Sequence, residues 1–509
     1  MYTVIVNRFF SPFGTKLYSW LGKPSFFYII VALLIVQALW IALTARYPQA
    51  FDEHFHVGLI QLHAAQWLPF FTTHVPGAEV YGAISRDPSY FYHYMFSIPY
   101  RALSNMSISF EVTIILFRLI NIGIFVTGLF VYRKLLSELG LSRRLANVVL
   151  FFFVLTPIVP LLAAHINYDN LIFLLTALLL LQSVRYLKSL YATHTYNITS
   201  LMWVVLYALL SSIIKYTSLP LSVAVIAILL GASLWAYYRN SRDEQYAFLW
   251  PKRLMIFFFI LGFLAFTGLA AERYGINMLR YHTPVPDCGQ VLTEKECLSY
   301  SVWARDHFYA ANHSKPAPLG IAVYPFVWVH RMVFETMFTI SSRLEPDGVT
   351  VTYIPAPPLT VANYTAWGLL LGGVILGFVY CRRLWQLVYM RWLLLAIIFY
   401  TVVLFIKNFS MYMHTGEAMA IHGRYLIPVF PILYAALALV FGWGIERFGR
   451  PAAKIWLVIV TMLLLVHGGG LIVWIYRSNP SWYWSQNPDA PVYRINKPLQ
   501  DVIHRVIIP

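Results

Sequence analysis

The chain has 509 residues, 59% of them hydrophobic and only 11% charged, with a formal net charge of +16. Soluble domains carry about 25% charged residues, so this composition excludes an ordinary soluble domain and points to the membrane class. The positive charge is dispersed, with no basic run long enough for a nucleic-acid arm; it suits membrane lipids as partners and excludes nucleic acid.

The N-terminus does not read as a cleaved signal peptide. Its first apolar run, near 26–44, is too long for a signal core and long enough to span a bilayer. Further runs lie near 112–132, 145–163, 170–187, 199–216, 219–237, 254–271, 364–381, 392–406, 426–444 and 455–475, the 392–406 run being the shortest. The expected fold is an all-α polytopic membrane protein of about eleven transmembrane helices.

Every second connection is short and basic: Arg133, Lys134, Arg143 and Arg144; then Arg185 and Lys188; Arg239, Arg242, Lys252 and Arg253; Arg382, Arg383 and Arg391; Arg447, Arg450 and Lys454. By the positive-inside rule these face the cytoplasm, and so does the N-terminus. A transmembrane domain is then expected over 1–475, with a short external tail over 476–509. The other face carries three polar stretches, 45–111, 272–363 and 407–425, long or dense in polar and aromatic groups, and loops of that kind are functional. Amphipathic helices are expected within them, VYPFVWVHRMVFETMF at 323–338 among them. Cys288 and Cys297 lie in the second stretch and would pair in an oxidising compartment, or stay as two thiols; Cys381, beside Arg382 and Arg383, reads as a reduced cytoplasmic thiol.

Candidate site residues gather on that external face. FDEHFHVGL at 51–59 places Asp52, His56, Leu59 and His63 on one face of a helix. The group reads either as a capped interfacial helix or as an acid aimed into a pocket; a divalent metal held by Asp52 and His56 is a further candidate. SRDPSYFYHY at 85–94 supplies Arg86, Asp87 and Tyr90 for a sugar or acceptor, or simply a turn and interfacial anchors. In HINYDN at 165–170, Asp169 either caps the fourth span or, with His165 and Asn167, lines a pocket floor. Lys215 is either a snorkelling lysine or a phosphate ligand. In EAMAIHGRYLIPVFP at 417–431, Arg424 offers a planar fork suited to phosphate oxygens, with His422 beside it, or else pairs with a lipid headgroup or a neighbouring acid.

An acidic pair directly after the first span, in a long external loop, resembles the GT-C superfamily of membrane glycosyltransferases, which includes the protein O-mannosyltransferases and the lipid A aminoarabinose transferases. HGRYLIP, with YDN before the fourth span, is similar to a bacterial branch of that superfamily. The resemblance implies a GT-C-like bundle in a bacterial inner membrane, using a polyprenyl-phosphate sugar as donor and an envelope glycan, lipid or protein as acceptor. It implies Asp52 as general base with Glu53 the adjacent candidate, Glu79 or Asp87 as a second acid, and Arg424 as donor-phosphate ligand. The chemistry of an anionic lipid donor agrees: cations at the interface hold phosphate, a partly desolvated carboxylate has its pKa raised toward working pH, and single displacement gives inversion. The competing class is a transporter or flippase, which would place ionisable groups at the bilayer midplane and carry inverted repeats; no clear internal repeat is present.

Overall fold

The computed structural model describes residues 19–48, 52–240, 246–312, 316, 318–337, 342–344, 351–353, 361–448, 470–477, 482–485 and 489–507. About 80% of the structure is helical. The sheet among the described residues is slight: Thr195–Asn197 pairs in parallel with Ala247–Leu249, and Ser342–Leu344 antiparallel with Val351–Tyr353.

Among the described residues, seven helices are long and apolar enough to cross a membrane: Pro24–Thr44, Phe110–Glu138, Tyr168–Ala192, Tyr216–Tyr238, Arg253–Tyr281, Val388–Thr415 and Gly423–Arg447. Helices satisfy their own backbone groups, which hydrocarbon demands. Two shorter apolar helices, Ile198–Ile214 and Ala366–Val379, correspond to the expected runs 199–216 and 364–381.

The expected run 145–163 is not one helix. It divides into Arg143–Leu155 and Ile158–Ala163, because Thr156 is extended (ψ 122°) ahead of Pro157, as proline requires of the residue before it. The run at 392–406 is longer than expected: it lies within the 28-residue helix Val388–Thr415, which absorbs the first half of the expected stretch 407–425. Of the run at 455–475, only the end from residue 470 lies among the described residues, as the start of helix Gly470–Arg477.

Tyr168–Ala192 forms the centre of the bundle, with 78% of its apolar window buried, whereas Arg253–Tyr281, at 6%, stands at the periphery. Phe173 on the central helix stacks on Phe125 at 4.1 Å and Phe153 at 5.4 Å. Phe110–Glu138 approaches closely through Gly128, where a Cβ would meet Phe173 at 2.6 Å; small residues let membrane helices pack this way.

The first polar stretch folds into helices Glu53–Ala64 and Phe91–Asn105. The second contains helices Cys288–Val291, Glu294–Cys297, Ser301–Asn312 and Pro318–Met337, the last matching the amphipathic helix expected at 323–338. Cys288 and Cys297 are joined by a disulfide. The two stretches touch: Tyr300 packs against Phe55, and Arg273 donates to the carbonyls of Phe71 and Ser85. In the tail, helix Pro491–Ile507 returns to the bundle, where Asn496 donates to the Tyr483 hydroxyl at 2.7 Å and Arg46 N–H to the Trp482 carbonyl at 2.8 Å.

Candidate functional site

A chain of contacts joins four of the candidate residues. Asp169, in the first turn of Tyr168–Ala192, binds Lys215 in a buried ion pair. Lys215 Nζ sits 4.6 Å from the Tyr168 ring centroid and 4.8 Å from that of Tyr425. The Arg424 guanidinium lies 5.5 Å from the centroid of the same Tyr425 ring. Arg424 Nη2 in turn donates to Asp52 Oδ2 at 2.7 Å. Residues 372 positions apart therefore meet.

The local backbone explains how Arg424 reaches that place. His422 caps the 3₁₀ helix Gly423–Val429, its Nδ1 accepting from the Arg424 amide at 3.1 Å. Its Nε2 lies 3.7 Å from Glu335. Gly423 has no substitute here, because a Cβ would fall 2.0 Å from Thr336 Oγ1 and 2.9 Å from the Met332 carbonyl. His422 thus positions the arginine's backbone. Burial first, and the Arg424 charge second, push its imidazole down to about 3 and keep it neutral.

Asp52 precedes helix Glu53–Ala64 with φ 60° and ψ 30°, the left-handed region, and does not cap it. Its side chain is 56% exposed, against 14% for Arg424. Desolvation by surrounding protein raises the carboxyl's pKa, but the charge and hydrogen bond of Arg424, with His56 and His54 behind them, outweigh it. The carboxyl is held below the ordinary carboxylate range, opposite in direction to the elevation expected from the sequence.

Glu53, the adjacent candidate, belongs elsewhere. It is fully buried and bidentate to Arg118, at 2.8 and 2.7 Å, and also accepts from the Ile166 amide at 3.3 Å. Arg118 further donates to the carbonyls of Ala42 and Ala45. This pair braces the structure, with neither side chain exposed to solvent. His165 lies beside that brace, fully buried and bonded to the Leu161 carbonyl, so it does not line the cluster; burial drives its imidazole to about 4.

Other candidates divide likewise. His56 is buried, its Nδ1 2.9 Å from His93 Nε2 and its ring 4.5 Å from Tyr168; burial lowers it to about 3. It supports the floor beneath Asp52 as a neutral ring. Asp52 and His56, the metal-ligand candidates, thus each have a partner, and among the described residues no group of three or more His, Cys, Asp or Glu is spaced to hold a metal ion. Tyr90 is buried, donating to the Leu269 carbonyl at 3.2 Å with Arg273 over its ring, and Arg86 faces Glu272 at 3.5 Å. Both brace the first stretch against Arg253–Tyr281 and stand outside the cluster. Glu79 pairs with His74 at 3.5 Å. Asp87 is half-buried and accepts from the Ser89 amide at 2.7 Å; burial lifts its carboxyl above the ordinary range, with the Ser89 bonds, Arg273 and Lys407 opposing.

Two surface grooves, one lined by Pro99, Leu103 and Phe117 and the other by Leu139, Tyr191 and Met390, include none of these residues.

The fold defines an all-α multi-pass membrane protein, with an accessible acid–guanidinium pair where the first long connection meets helix Gly423–Arg447. Comparison with protein-family models, curated proteins and solved structures finds no match to this chain.

Proposed function

We propose that the chain is a membrane glycosyltransferase. It moves a sugar from a polyprenyl-phosphate donor to a lipid, glycan or protein acceptor on the external face of a bacterial inner membrane. In this reading the N-terminus is cytoplasmic, the tail is external and the chain crosses about eleven times. The observation that carries the reading is the 2.7 Å contact between Asp52 and Arg424, with Asp52 left accessible. The Cys288–Cys297 disulfide, in the stretch packed against the first one, supports an oxidising compartment for this face.

The chemistry follows from an exchange of partners. The donor phosphate engages the Arg424 fork and draws it from Asp52. With the guanidinium charge met by phosphate, the force that lowers the Asp52 carboxyl is relieved and it becomes a better base. The acceptor hydroxyl oxygen attacks the anomeric carbon as the bond from that carbon to the phosphate oxygen breaks. The bonding pair leaves with the phosphate, stabilised by Arg424, and the hydroxyl proton passes to Asp52. One displacement inverts the anomeric centre. Asp87 stands by as the second acid, its raised carboxyl suited to hydrogen-bonding a sugar hydroxyl.

Mass spectrometry of envelope lipids, glycans and proteins tests this. Deleting the chain removes one sugar from one acceptor class, and Asp52→Asn, expressed at the native level, restores less than about 1% of it, in line with the loss expected when general-base catalysis is removed. Full restoration by Asp52→Asn would refute the base role.

A further inference from the structure

Two cations face the Tyr425 ring, and a third, Lys407, sits on Tyr216, the residue after Lys215. Lys215 and Arg424 lie 4.8 and 5.5 Å from the Tyr425 centroid, and Lys407, on helix Val388–Thr415, interacts electrostatically with the same phenol. Two of the three are matched by a carboxylate: Lys215 by Asp169, and Arg424 by Asp52. Lys407 is not. Among the described residues no carboxylate oxygen lies within ion-pair distance of its Nζ, which donates to the Tyr216 hydroxyl at 3.0 Å and sits 4.8 Å from that ring's centroid.

A lysine inside a membrane-crossing helix is unfavourable without a role or a partner. Lys407 keeps an exposed side chain and turns it toward the cluster. Tyr216, which receives it, is itself tied to the first polar stretch through the Ser89 hydroxyl, which accepts from the Tyr216 amide at 3.1 Å. Asp87 interacts with Lys407 from a distance without bridging to it. Lys407 is therefore the cation of the cluster that no carboxylate among the described residues bridges, held by an aromatic hydroxyl and exposed.

We propose that Lys407, braced by Tyr216, binds the phosphate ester of an anionic prenyl lipid, sharing it with Arg424 around Tyr425. The proposal rests on the transferase reading and adds to it the donor-head residue that carries no competing carboxylate. Arg424 must exchange Asp52 for phosphate; Lys407 exchanges nothing, so it makes the first contact with the incoming head group.

The test uses the full chain in phosphatidylcholine nanodiscs, titrated with farnesyl monophosphate. Lys407→Gln weakens binding by about tenfold or more, the size of one charge-assisted hydrogen bond. Lys407→Arg stays within about threefold of the native value, since the charge is retained. Inorganic phosphate in excess displaces the probe, which identifies the phosphate head as the recognised group. Abolition of binding in phosphatidylglycerol discs would overturn the prenyl assignment in favour of a bulk anionic-lipid site. Native affinity in a Lys407→Gln protein that keeps the native melting temperature, with Arg424→Gln impaired, would overturn the role of Lys407 and leave the transferase reading standing. A native protein that binds no farnesyl monophosphate would overturn both.

Discussion

Asp52 and Glu53 are neighbours in sequence and have opposite fates. Asp52, in the left-handed region that aspartate tolerates better than most residues, leaves the helix amides uncapped and gives its carboxylate to Arg424. Glu53, one residue on, turns inward to Arg118. The sequence places both acids after the first span and does not show which of them turns inward, because helix position alone does not say which way the chain enters the helix. A signal was present: Arg118 sits inside an apolar run, where an arginine needs a buried partner. The histidines nearby were legible as a group but not in role. Burial holds His56 at about 3, and His63 and His165 at about 4, all below the ordinary imidazole value. Unfolding would restore a pKa of about 6.5 to each. The unfolded chain then binds protons that the folded one refuses, so stability is complete above about pH 6.5 and declines as the pH falls below it, by up to about 1.4 kcal/mol per unit for each group. Melting temperature in detergent is expected to fall steadily from pH 7.5 to pH 5; a flat or rising profile would contradict the buried neutral histidines. Depressed carboxyls such as Glu53 act in a lower window, as the pH falls below the ordinary carboxylate range.

The Glu53–Arg118 pair is also the joint between elements. It ties the C-terminal carbonyls of Pro24–Thr44, the start of Glu53–Ala64, the helix Phe110–Glu138 and the turn before Tyr168–Ala192 into one junction. Removing one member strands a charge in a site that water does not reach, which costs about 3–5 kcal/mol. Glu53→Gln should therefore lower unfolding stability by that amount in micelles, while Glu53→Leu with Arg118→Met regains most of it; equal stability of Glu53→Gln and the native chain would show that the junction is held by other contacts. At this scale the spans were legible because apolar length is a strong signal. Their breaks and extensions were less so. Pro157 stops a helix in the midst of an apolar run, and Val388–Thr415 carries Lys407 and Asn408 beyond the point where hydropathy falls away. Treating 407–425 as a connection hid Lys407 in the expected loop. The turn His422–Gly423–Arg424 was legible through its glycine; the neighbour that demands the glycine, Thr336, comes from a helix distant in sequence.

In the whole molecule, polar groups from six stretches of chain lie near one another: Asp52, Asp87, Asp169 bridged to Lys215, Lys407, and Arg424. Sequence reasoning located five of these stretches and missed Lys407 and the place of Tyr425 among them, since those contacts join residues far apart in the chain. The second polar stretch closes over the first through Tyr300 and the Arg273 hydrogen bonds, and its disulfide lies in that layer. The proposed orientation would put the basic connections at the other ends of the spans, in the cytoplasm. Thiol crosslinking in intact cells tests the arrangement most directly. In a Cys381→Ser background, Asp52→Cys combined with Arg424→Cys is treated with a short, membrane-impermeant bis-thiol reagent. An intramolecular crosslink formed without permeabilising the cells, and absent from either single variant, is the predicted result; no crosslink, or one that forms only after permeabilisation, would contradict an external site built by this pair.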